Sequence, residues 1–293
     1  MDIYDKLPHP FGLVRTGIAP DHQDAKLVEN DFSSLLKKDI KDSGAVNFYG
    51  NVEIGKDITF PELQENYSGL IFSYGASDEN VLNLPNEDNF GSFSARRFVN
   101  WYNTHIEFAE NSPFMTPEFT QANTRDIVLV GNGNVAMDIA RLLTKPFSQI
   151  RKLDINEKIL EKFAKIKTKN IHIIARRGLV QSAFTVKELR ELNRVSENNI
   201  YILRDEIANS LNENSEIEMN DNNPGERRHY IRKLELVKKL NIVDSLDEME
   251  KIRNLDDGKV KIFFRFLLTP TEIIVDETQK HKPVKGIKFL RSH

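Results

Sequence analysis

The sequence predicts an α/β fold built on a parallel β-sheet. Two apolar runs rich in β-branched residues, 126–130 and 170–175, are typical of buried strands, and two helical patterns, 135–143 and 157–166, lie between them. Strand, helix, helix and strand in this order give a βαβ crossover with one inserted helix. The first strand is predicted to be buried on both faces of the sheet.

Residues 1–92 are predicted to consist mainly of short strands, at 45–49, 51–54 and 70–76, separated by turns. Apolar residues with helical spacing at 24–36 predict one amphipathic helix among them. A second helix is expected at 95–104. The polar, proline-containing segment 111–124 has the composition of a domain boundary.

The second half of the chain shows three further patterns. Thr185 and Glu188 have the spacing of a capping box and predict a helix that reaches about Arg194. The Asn-, Glu- and Ser-rich residues 209–223 favour an exposed, mobile loop. Residues 260–275 are typical of two strands, with a hinge expected at Thr269-Pro270.

Composition narrows the function. The 293 residues carry 44 acidic and 41 basic side chains, a net charge of −3, which argues against general nucleic-acid binding. No run approaches the roughly 18 apolar residues of a membrane-spanning helix. With no cysteine, thiolate, disulfide and Cys-held metal chemistry are excluded, so an organic cofactor must carry any electrons. The acidic start, Met1-Asp2-Ile3-Tyr4-Asp5, predicts no targeting segment.

The most specific motif is a G-x-G-x-x-A sequence between the strand at 126–130 and the helix after it. Its residues are Gly131-Asn132-Gly133-Asn134-Val135-Ala136. The first glycine permits a tight turn, the second lets the backbone approach a pyrophosphate, and the helix N-terminus offers N–H groups to anionic oxygens. We therefore predict dinucleotide binding, with a purely structural turn as the alternative.

The choice of dinucleotide depends on the end of the next strand. An acid there favours NAD, whereas arginine accommodates the 2′-phosphate of NADP. Arg176 and Arg177 occupy this place, although the spacing from Gly131 exceeds the usual roughly 20 residues because of the inserted helix. Two adjacent guanidiniums can bind a phosphate through forked hydrogen bonds. NADP is predicted, and the alternative is a solvated arginine pair.

Further motifs occur beside these two. They are residues 6–22, Gly50-Asn51-Val52-Glu53-Ile54-Gly55, Ser73-Tyr74-Gly75-Ala76, Met137-Asp138 after the glycine-rich turn, Ala183-Phe184-Thr185-Val186-Lys187-Glu188-Leu189-Arg190-Glu191 and Phe289-Leu290-Arg291-Ser292. In this order they resemble the adrenodoxin reductase family, ferredoxin–NADP reductases of the glutathione-reductase-like fold. The resemblance implies two Rossmann-like nucleotide-binding domains: an incomplete FAD domain at 1–92 and an inserted NADP domain at 93–293.

The family also has elements that we do not find here. Its members begin with a strand and a glycine-rich turn that hold the FAD pyrophosphate, about 30 residues before the segment matching Tyr4. They end with a region that returns to the flavin. We therefore expect this sequence to be part of a longer reductase, and we expect the chain by itself to hold FAD weakly.

The resemblance implies roles for individual residues. Asp5 matches the acid that binds the adenosine ribose of FAD, and Leu13 and Ile54 match positions that line FAD. His22 and Asp138 match a catalytic pair near the flavin and nicotinamide. The matches to NADP contacts are Gly131, Asn132, Gly133, Asn134, Arg176, Arg177 and Glu188.

Simpler interpretations of these residues stay open. His22 could be a turn histidine, Asp138 could complement the dipole of its helix, and Glu188 could serve only the capping box. The resemblance assigns Arg190, and arginines near Arg228 and Arg232, to contact with an acidic [2Fe–2S] ferredoxin. They belong to or lie near a basic stretch, 226–239, with six cations and two anions, which could also be a solvated helix face.

By resemblance, the chain belongs to an NADPH-dependent reductase that passes electrons through FAD to the ferredoxin. A mitochondrial location on the matrix side, and peripheral rather than spanning membrane association, are implied in the same way. One alternative is an NADP-binding fragment without FAD or turnover. Another is a glutamate-synthase-like flavin subunit, against which the absence of cysteine counts because those subunits use Cys-held clusters.

Overall fold

The computed structural model describes residues 1–37, 45–76, 79–108, 112–121, 125–221 and 224–292. The strands of these residues are β1 Asp2–Tyr4, β2 Asn47–Tyr49, β3 Asp126–Val130, β4 Asn170–Ile174, β5 Ile200–Leu203, β6 Asn241–Val243, β7 Lys261–Arg265, β8 Leu268–Val275 and β9 Val284–Arg291. The helices are α1 Gly12–Thr16, α2 Gln23–Lys26, α3 Val28–Leu36, α4 Phe60–Asn66, α5 Ala95–Tyr102, α6 Pro117–Gln121, α7 Asn134–Thr144, α8 Phe147–Ile150, α9 Glu157–Phe163, α10 Val186–Val195, α11 Arg204–Asn209, α12 Glu213–Asp221, α13 Pro224–Val237 and α14 Leu246–Asn254, with a 3₁₀ turn at Pro113–Met115. None of the described helices is long and apolar enough to cross a membrane.

A five-stranded parallel sheet with the order β3-β4-β7-β5-β6 forms the centre of the structure. The chain runs from β3 through α7, α8 and α9 into β4, which confirms the predicted crossover and its inserted helices. Asn156 caps α9, its side chain accepting a hydrogen bond from the Lys158 N–H. This crossover places the ends of β3 and β4 side by side.

The predicted burial of β3 on both faces is wrong. Its exposure alternates along the strand, and the side chains of Val128 and Val130 are each 39% exposed. Among the described strands β3 pairs only with β4, so it lies at an edge of the sheet. The described part of the chain therefore covers the face that carries these two valines only partly.

The prediction for residues 1–92 holds only in part. β1 and β2 form a two-stranded parallel sheet, but 51–54 contains no strand beyond an isolated bridge from Ile54 to Ile58. The described residues of 70–76 are irregular, and Ile71 is 91% exposed. A strand needs a neighbour to satisfy its N–H and C=O groups, and no described strand lies beside this run. The helix expected at 24–36 is divided into α2 and α3 at Leu27.

Aromatic packing fills the core on one side of the sheet. Trp101 is fully buried in α5 and stacks on Phe163 of α9, with ring centroids 5.3 Å apart. Phe114 and Phe119, from the segment expected to form a boundary, pack on the same ring. Apolar burial stabilises this arrangement. The described part of 111–124 is therefore packed into the core.

Two further corrections concern the second half. Residues 213–221 form α12 rather than a loop, because the Asn212 side chain accepts from the Ser215 N–H at 3.0 Å and caps the helix start. The hinge between β7 and β8 lies at Phe266 and Leu267, whose φ of 59° breaks the extended conformation. Thr269 and Pro270 lie inside β8, which pairs antiparallel with β9.

Candidate functional site

A glycine-rich turn connects β3 to α7. Gly131 has a φ of +113°, a conformation that residues with a side chain rarely adopt. Its N–H donates to the Ile174 carbonyl at 2.8 Å, which ties the turn to the end of β4. Gly133 then precedes the first turn of α7, whose N–H groups have no partner within the helix. The turn thus presents backbone donors of the kind that bind phosphate oxygens.

Two asparagines connect this turn to the segment that leads into α10. Asn134 Oδ1 accepts from the Thr185 N–H at 3.2 Å, and Asn132 Oδ1 lies 3.5 Å from the Ala183 nitrogen, which donates to it. The Asn132 Nδ2 atom is buried and has no hydrogen-bond partner among the described residues. A buried amide donor of this kind is costly unless an acceptor reaches it. A bound dinucleotide could supply that acceptor.

Arg176 and Arg177 follow β4 directly and are exposed. Neither forms an ion pair with any described carboxylate. Val130 and Ile174 pair in register, so the arginines and the glycine-rich turn lie at the same end of two adjacent parallel strands. Fixed positive charge beside a phosphate-binding turn fits the 2′-phosphate of NADP(H).

A buried ion-pair cluster lies on α7. Arg141 is 2% exposed and donates to both Asp21 carboxylate oxygens, through Nε at 2.8 Å and Nη2 at 2.9 Å. Its other bonds reach Asp138 at 2.7 Å and Glu188 at 2.8 Å. Lys145 also contacts Asp21. Arg141 therefore joins residues near the N-terminus to α7 and α10.

His22 lies at the edge of this cluster. Its Nε2 is 2.8 Å from Glu191 Oε2, and its Nδ1 is 3.8 Å from Asp138 Oδ1. The structure thus brings the predicted His22 and Asp138 pair together. His22, Glu188 and Glu191 each offer an atom within 4.8 Å of the others, as metal ligands would. Arg141 already bonds the Glu188 carboxylate, however, and we assign no metal there.

The cluster shifts the acidity of its carboxyl groups. Burial alone would raise the pKa of Asp21, but hydrogen bonds from Arg141 and Lys145 outweigh it and hold the pKa well below its usual range. Burial raises the pKa of Asp138, and Arg141 only partly offsets this. Burial would also raise the pKa of Glu191, but the His22 contact brings it below its ordinary value. Among Asp21, Asp138 and Glu191, Asp138 is thus the carboxyl whose pKa is raised rather than lowered.

The capping box at the start of α10 is only half formed. Thr185 Oγ1 accepts from the Glu188 N–H at 3.2 Å, as predicted. The Glu188 carboxylate bonds Arg141 instead of returning to the Thr185 N–H, which donates to Asn134. Glu188 therefore does more than cap its helix.

The candidate FAD residues form none of the hydrogen bonds or ion pairs of this cluster in the described structure. Asp5 follows β1 as expected, and its carboxylate accepts from the Leu7 N–H at 2.9 Å. Leu13 is 76% exposed and Ile54 is 39% exposed. These residues leave surface for a ribose or a ring system. The described part of 1–92 contains no glycine-rich turn between a strand and a helix, so its fit to FAD is incomplete.

The candidate partner residues lie on two helices that pack together, α10 and α13. Arg190 on α10, and Arg228 and Arg232 on α13, are exposed. Lys233, which belongs to the same basic stretch, is 2% exposed and so is not part of that surface.

Several residues of the cluster are absent from the sequence-based site: Asp21, Arg141, Lys145 and Glu191. Arg141 carried a signal that could have revealed it. It lies four residues after Met137 and three before Thr144, on the buried side of α7. A charged side chain at a core-facing helix position needs buried partners, but the pattern does not say which ones.

Comparison with known proteins gives relatives over much of the chain. No protein-family model matches it. NADPH:adrenodoxin oxidoreductase of Bos taurus is 44% identical over 192 residues, which are 66% of this chain and 37% of the relative. The Arabidopsis thaliana protein of that name is 36% identical over 208 residues, 71% of this chain and 41% of the relative. Both relatives are named as mitochondrial proteins.

Solved structures agree with these relatives. The Mycobacterium tuberculosis oxidoreductase FprA matches 99% of this chain with a TM-score of 0.73 and 28% identity, over 62% of its own length. FprA in complex with NADPH matches with a TM-score of 0.73 as well. This chain spans about 37% of the length of the bovine relative. It is a homologue of the NADPH:adrenodoxin oxidoreductases, which confirms the resemblance drawn from its motifs.

Proposed function

We propose that this chain is part of an NADPH-dependent reductase that passes electrons through FAD to a [2Fe–2S] ferredoxin. The observation that carries the proposal is the exposed pair Arg176 and Arg177 beside the turn at Gly131. Relatives named NADPH:adrenodoxin oxidoreductase and an FprA structure with NADPH support it. The chain spans about 37% of the bovine relative, so the activity of the whole protein is a proposal.

The residues of the turn would hold NADP(H). Backbone N–H groups around Gly133 would bind the pyrophosphate, and Arg176 and Arg177 the 2′-phosphate. The Asn132 amide would donate its unpaired N–H to the same ligand. Glu188 would contribute through its place in the Arg141 cluster, which fixes the start of α10.

FAD, when bound, accepts a hydride and releases single electrons. In this chain Asp5 would bind its ribose, and Leu13 and Ile54 would line it. His22 and Asp138 would face the reacting rings, at a place where burial raises the pKa of Asp138. The His22 Nδ1 and Asp138 Oδ1 atoms are 3.8 Å apart, so the two side chains would lie side by side there.

Arg190, Arg228 and Arg232 would dock the ferredoxin through complementary charge, which requires an acidic partner. The mitochondrial names of the relatives support a mitochondrial site of action. A matrix-side location and peripheral membrane association belong to the same proposal.

We assign residues 1–92 to an FAD-binding part and 93–293 to an NADP-binding part. A second candidate function is NADP binding without FAD or turnover. It is favoured by the exposed apolar run at 70–76, where Ile71 and Tyr74 are 91% and 84% exposed. Apolar side chains as exposed as these are typical of a surface that another segment or a partner covers.

Binding of NADPH to the whole chain tests the proposal. Trp101 is the single tryptophan, and it emits where reduced nicotinamide absorbs, so NADPH binding should quench its fluorescence by energy transfer. Gly131→Ala should weaken binding about tenfold, because alanine strains the phosphate-binding turn.

Gly258→Ala is the matched control. Gly258 also has a positive φ, +74°, and as at Gly131 no described atom beyond the two chain neighbours lies within 4 Å of an added Cβ. Gly258→Ala should therefore introduce similar backbone strain but should leave NADPH affinity unchanged. Absence of saturable NADPH quenching in the unsubstituted chain would overturn the proposal.

A further inference from the structure

Lys233 is only 2% exposed. The other cations of the basic stretch 226–239 whose side chains the structure describes are all exposed. The Lys233 Nζ donates to the Ser182 carbonyl at 2.6 Å. The same atom lies 5.1 Å from the centre of the Phe184 ring and 5.9 Å from that of Tyr230. The ammonium thus points away from solvent, toward the segment that leads into α10.

This buried charge has no anionic partner in the described residues. No described carboxylate oxygen lies within 4.0 Å of Lys233 Nζ. Burial lowers the pKa of Lys233 to about 8, which reflects the cost of keeping the charge there. An apolar side chain of the same length would pack at this position without that cost. Packing alone therefore does not account for a lysine.

The acceptor of Lys233 gives its position a consequence. Ser182 directly precedes Ala183, whose N–H donates to Asn132, and Thr185 donates to Asn134. Phe184 lies between Ala183 and Thr185 in the sequence. Its ring is buried and faces the ammonium. A chain of contacts therefore runs from α13 through residues 182–185 to both asparagines of the glycine-rich turn.

We propose that Lys233 is a positioning residue for the dinucleotide. By holding the Ser182 carbonyl, it fixes residues 182–185 so that Ala183 orients the Asn132 side chain and directs its unpaired amide N–H2 at the bound NADP(H). This inference rests on the proposed function, since it assumes that the turn binds a dinucleotide. It assigns α13 a role in cofactor binding beside the partner contacts of its exposed arginines.

A double-mutant cycle on the whole chain tests the inference, with NADPH affinity measured through Trp101 quenching. Lys233→Met keeps roughly the aliphatic part of the side chain and removes the ammonium, and it should weaken NADPH binding about tenfold. Asn132→Ala should weaken binding as well. If Lys233 acts through Asn132, adding Lys233→Met to Asn132→Ala should change the affinity less than twofold.

Lys251→Met on α14 is the matched control, since Lys251 is exposed and the substitution is identical. It should leave NADPH affinity unchanged. The cycle is repeated with Lys233→Gln, which keeps a polar side chain but is one atom shorter, so its amide should not reach the Ser182 carbonyl; this variant should disturb the fold less and should show the same coupling to Asn132.

Three results are informative. Unchanged NADPH affinity in the folded Lys233 variants would overturn the inference and leave the proposed function standing. Effects of Lys233 and Asn132 that multiply would also overturn it, because Lys233 would then act independently of Asn132. Failure of the unsubstituted chain to bind NADPH would overturn the proposed function, and the inference with it.

Discussion

Arg141 and Asp21 are separated by 120 residues in sequence and are joined by two hydrogen bonds of 2.8 and 2.9 Å. The forked guanidinium matches both carboxylate oxygens, and both side chains are at least 96% buried. Because His22 follows Asp21, this pair also determines where the imidazole lies relative to Asp138. An ion pair thus holds the N-terminal residues around Asp21 to α7.

Loss of Arg141 should destabilise the protein. Arg141→Met leaves Asp138 and Glu188 without their buried cation and Asp21 with Lys145 alone. An uncompensated buried charge costs about 3–5 kcal/mol, and we expect a loss of this size in the free energy of unfolding. Urea denaturation at pH 7 measures it.

Arg253→Met is the control, because Arg253 is 37% exposed in its ion pair with Asp126. It should cost less than about 1 kcal/mol, as exposed pairs do. Equal losses for the two variants would show that the Arg141 cluster contributes no more than a surface pair.

Lys233 should make stability depend on alkaline pH. Burial lowers its pKa from 10.5 to about 8 in the folded protein. Between these values the unfolded chain binds more protons than the folded one, so the free energy of unfolding should rise with pH through this window. Below pH 8 both states are protonated, and the full cost of the buried charge is present.

The measurement is the difference in unfolding free energy between the unsubstituted chain and Lys233→Met at several pH values. Taking the difference between the two proteins removes the contributions of the groups that they share. The unsubstituted chain should gain about 2 kcal/mol relative to the variant between pH 8 and 10.5. Parallel pH profiles would mean that Lys233 titrates normally.

Local patterns in the sequence predict much of the fold. The β-branched runs give β3 and β4, the helical periods give α7 and α9, and Thr185 marks the start of α10. Each of these signals lies within a few residues of the element that it predicts. The same holds for the glycine-rich turn, because the positive φ at Gly131 favours a residue without a side chain, and this requirement is visible in the local sequence.

The features that depend on distant residues were not predicted. The exposure of Val128 depends on what packs over the edge strand, and α12 packs beside α13. The Arg141 cluster draws on residues from two distant parts of the sequence. A sequence pattern shows that Arg141 needs partners, but only the fold selects Asp21.

Partner binding should depend on the charges of α10 and α13. Arg232→Glu should weaken binding of an acidic [2Fe–2S] ferredoxin about tenfold at low salt, because it places like charges at the contact. Added salt should weaken binding to the unsubstituted chain and should reduce the difference between the two proteins. NADPH affinity should not change.

Lys251→Glu on α14 makes the same charge reversal away from these helices and serves as the control. Isothermal titration calorimetry at several salt concentrations gives all the affinities. Ferredoxin binding that ignores salt and the Arg232 substitution would support the solvated-face alternative.

FAD should bind weakly to this chain alone. Asp5, Leu13 and Ile54 can contact a ribose or a ring, but the described part of residues 1–92 offers no glycine-rich strand-to-helix turn for the pyrophosphate. After incubation with FAD and gel filtration, the protein peak should carry far less than one flavin per chain. A peak with stoichiometric flavin absorbance would contradict this expectation.

The preference for NADPH over NADH tests the central claim most directly. Hydrogen bonds to a charged group contribute about 1.5–3 kcal/mol each, so Arg176 and Arg177 should make the dissociation constant of NADPH at least about tenfold lower than that of NADH. Replacing both arginines with alanine should bring the two constants within about threefold and leave NADH binding unchanged. Equal dissociation constants for NADPH and NADH in the unsubstituted chain would contradict the account.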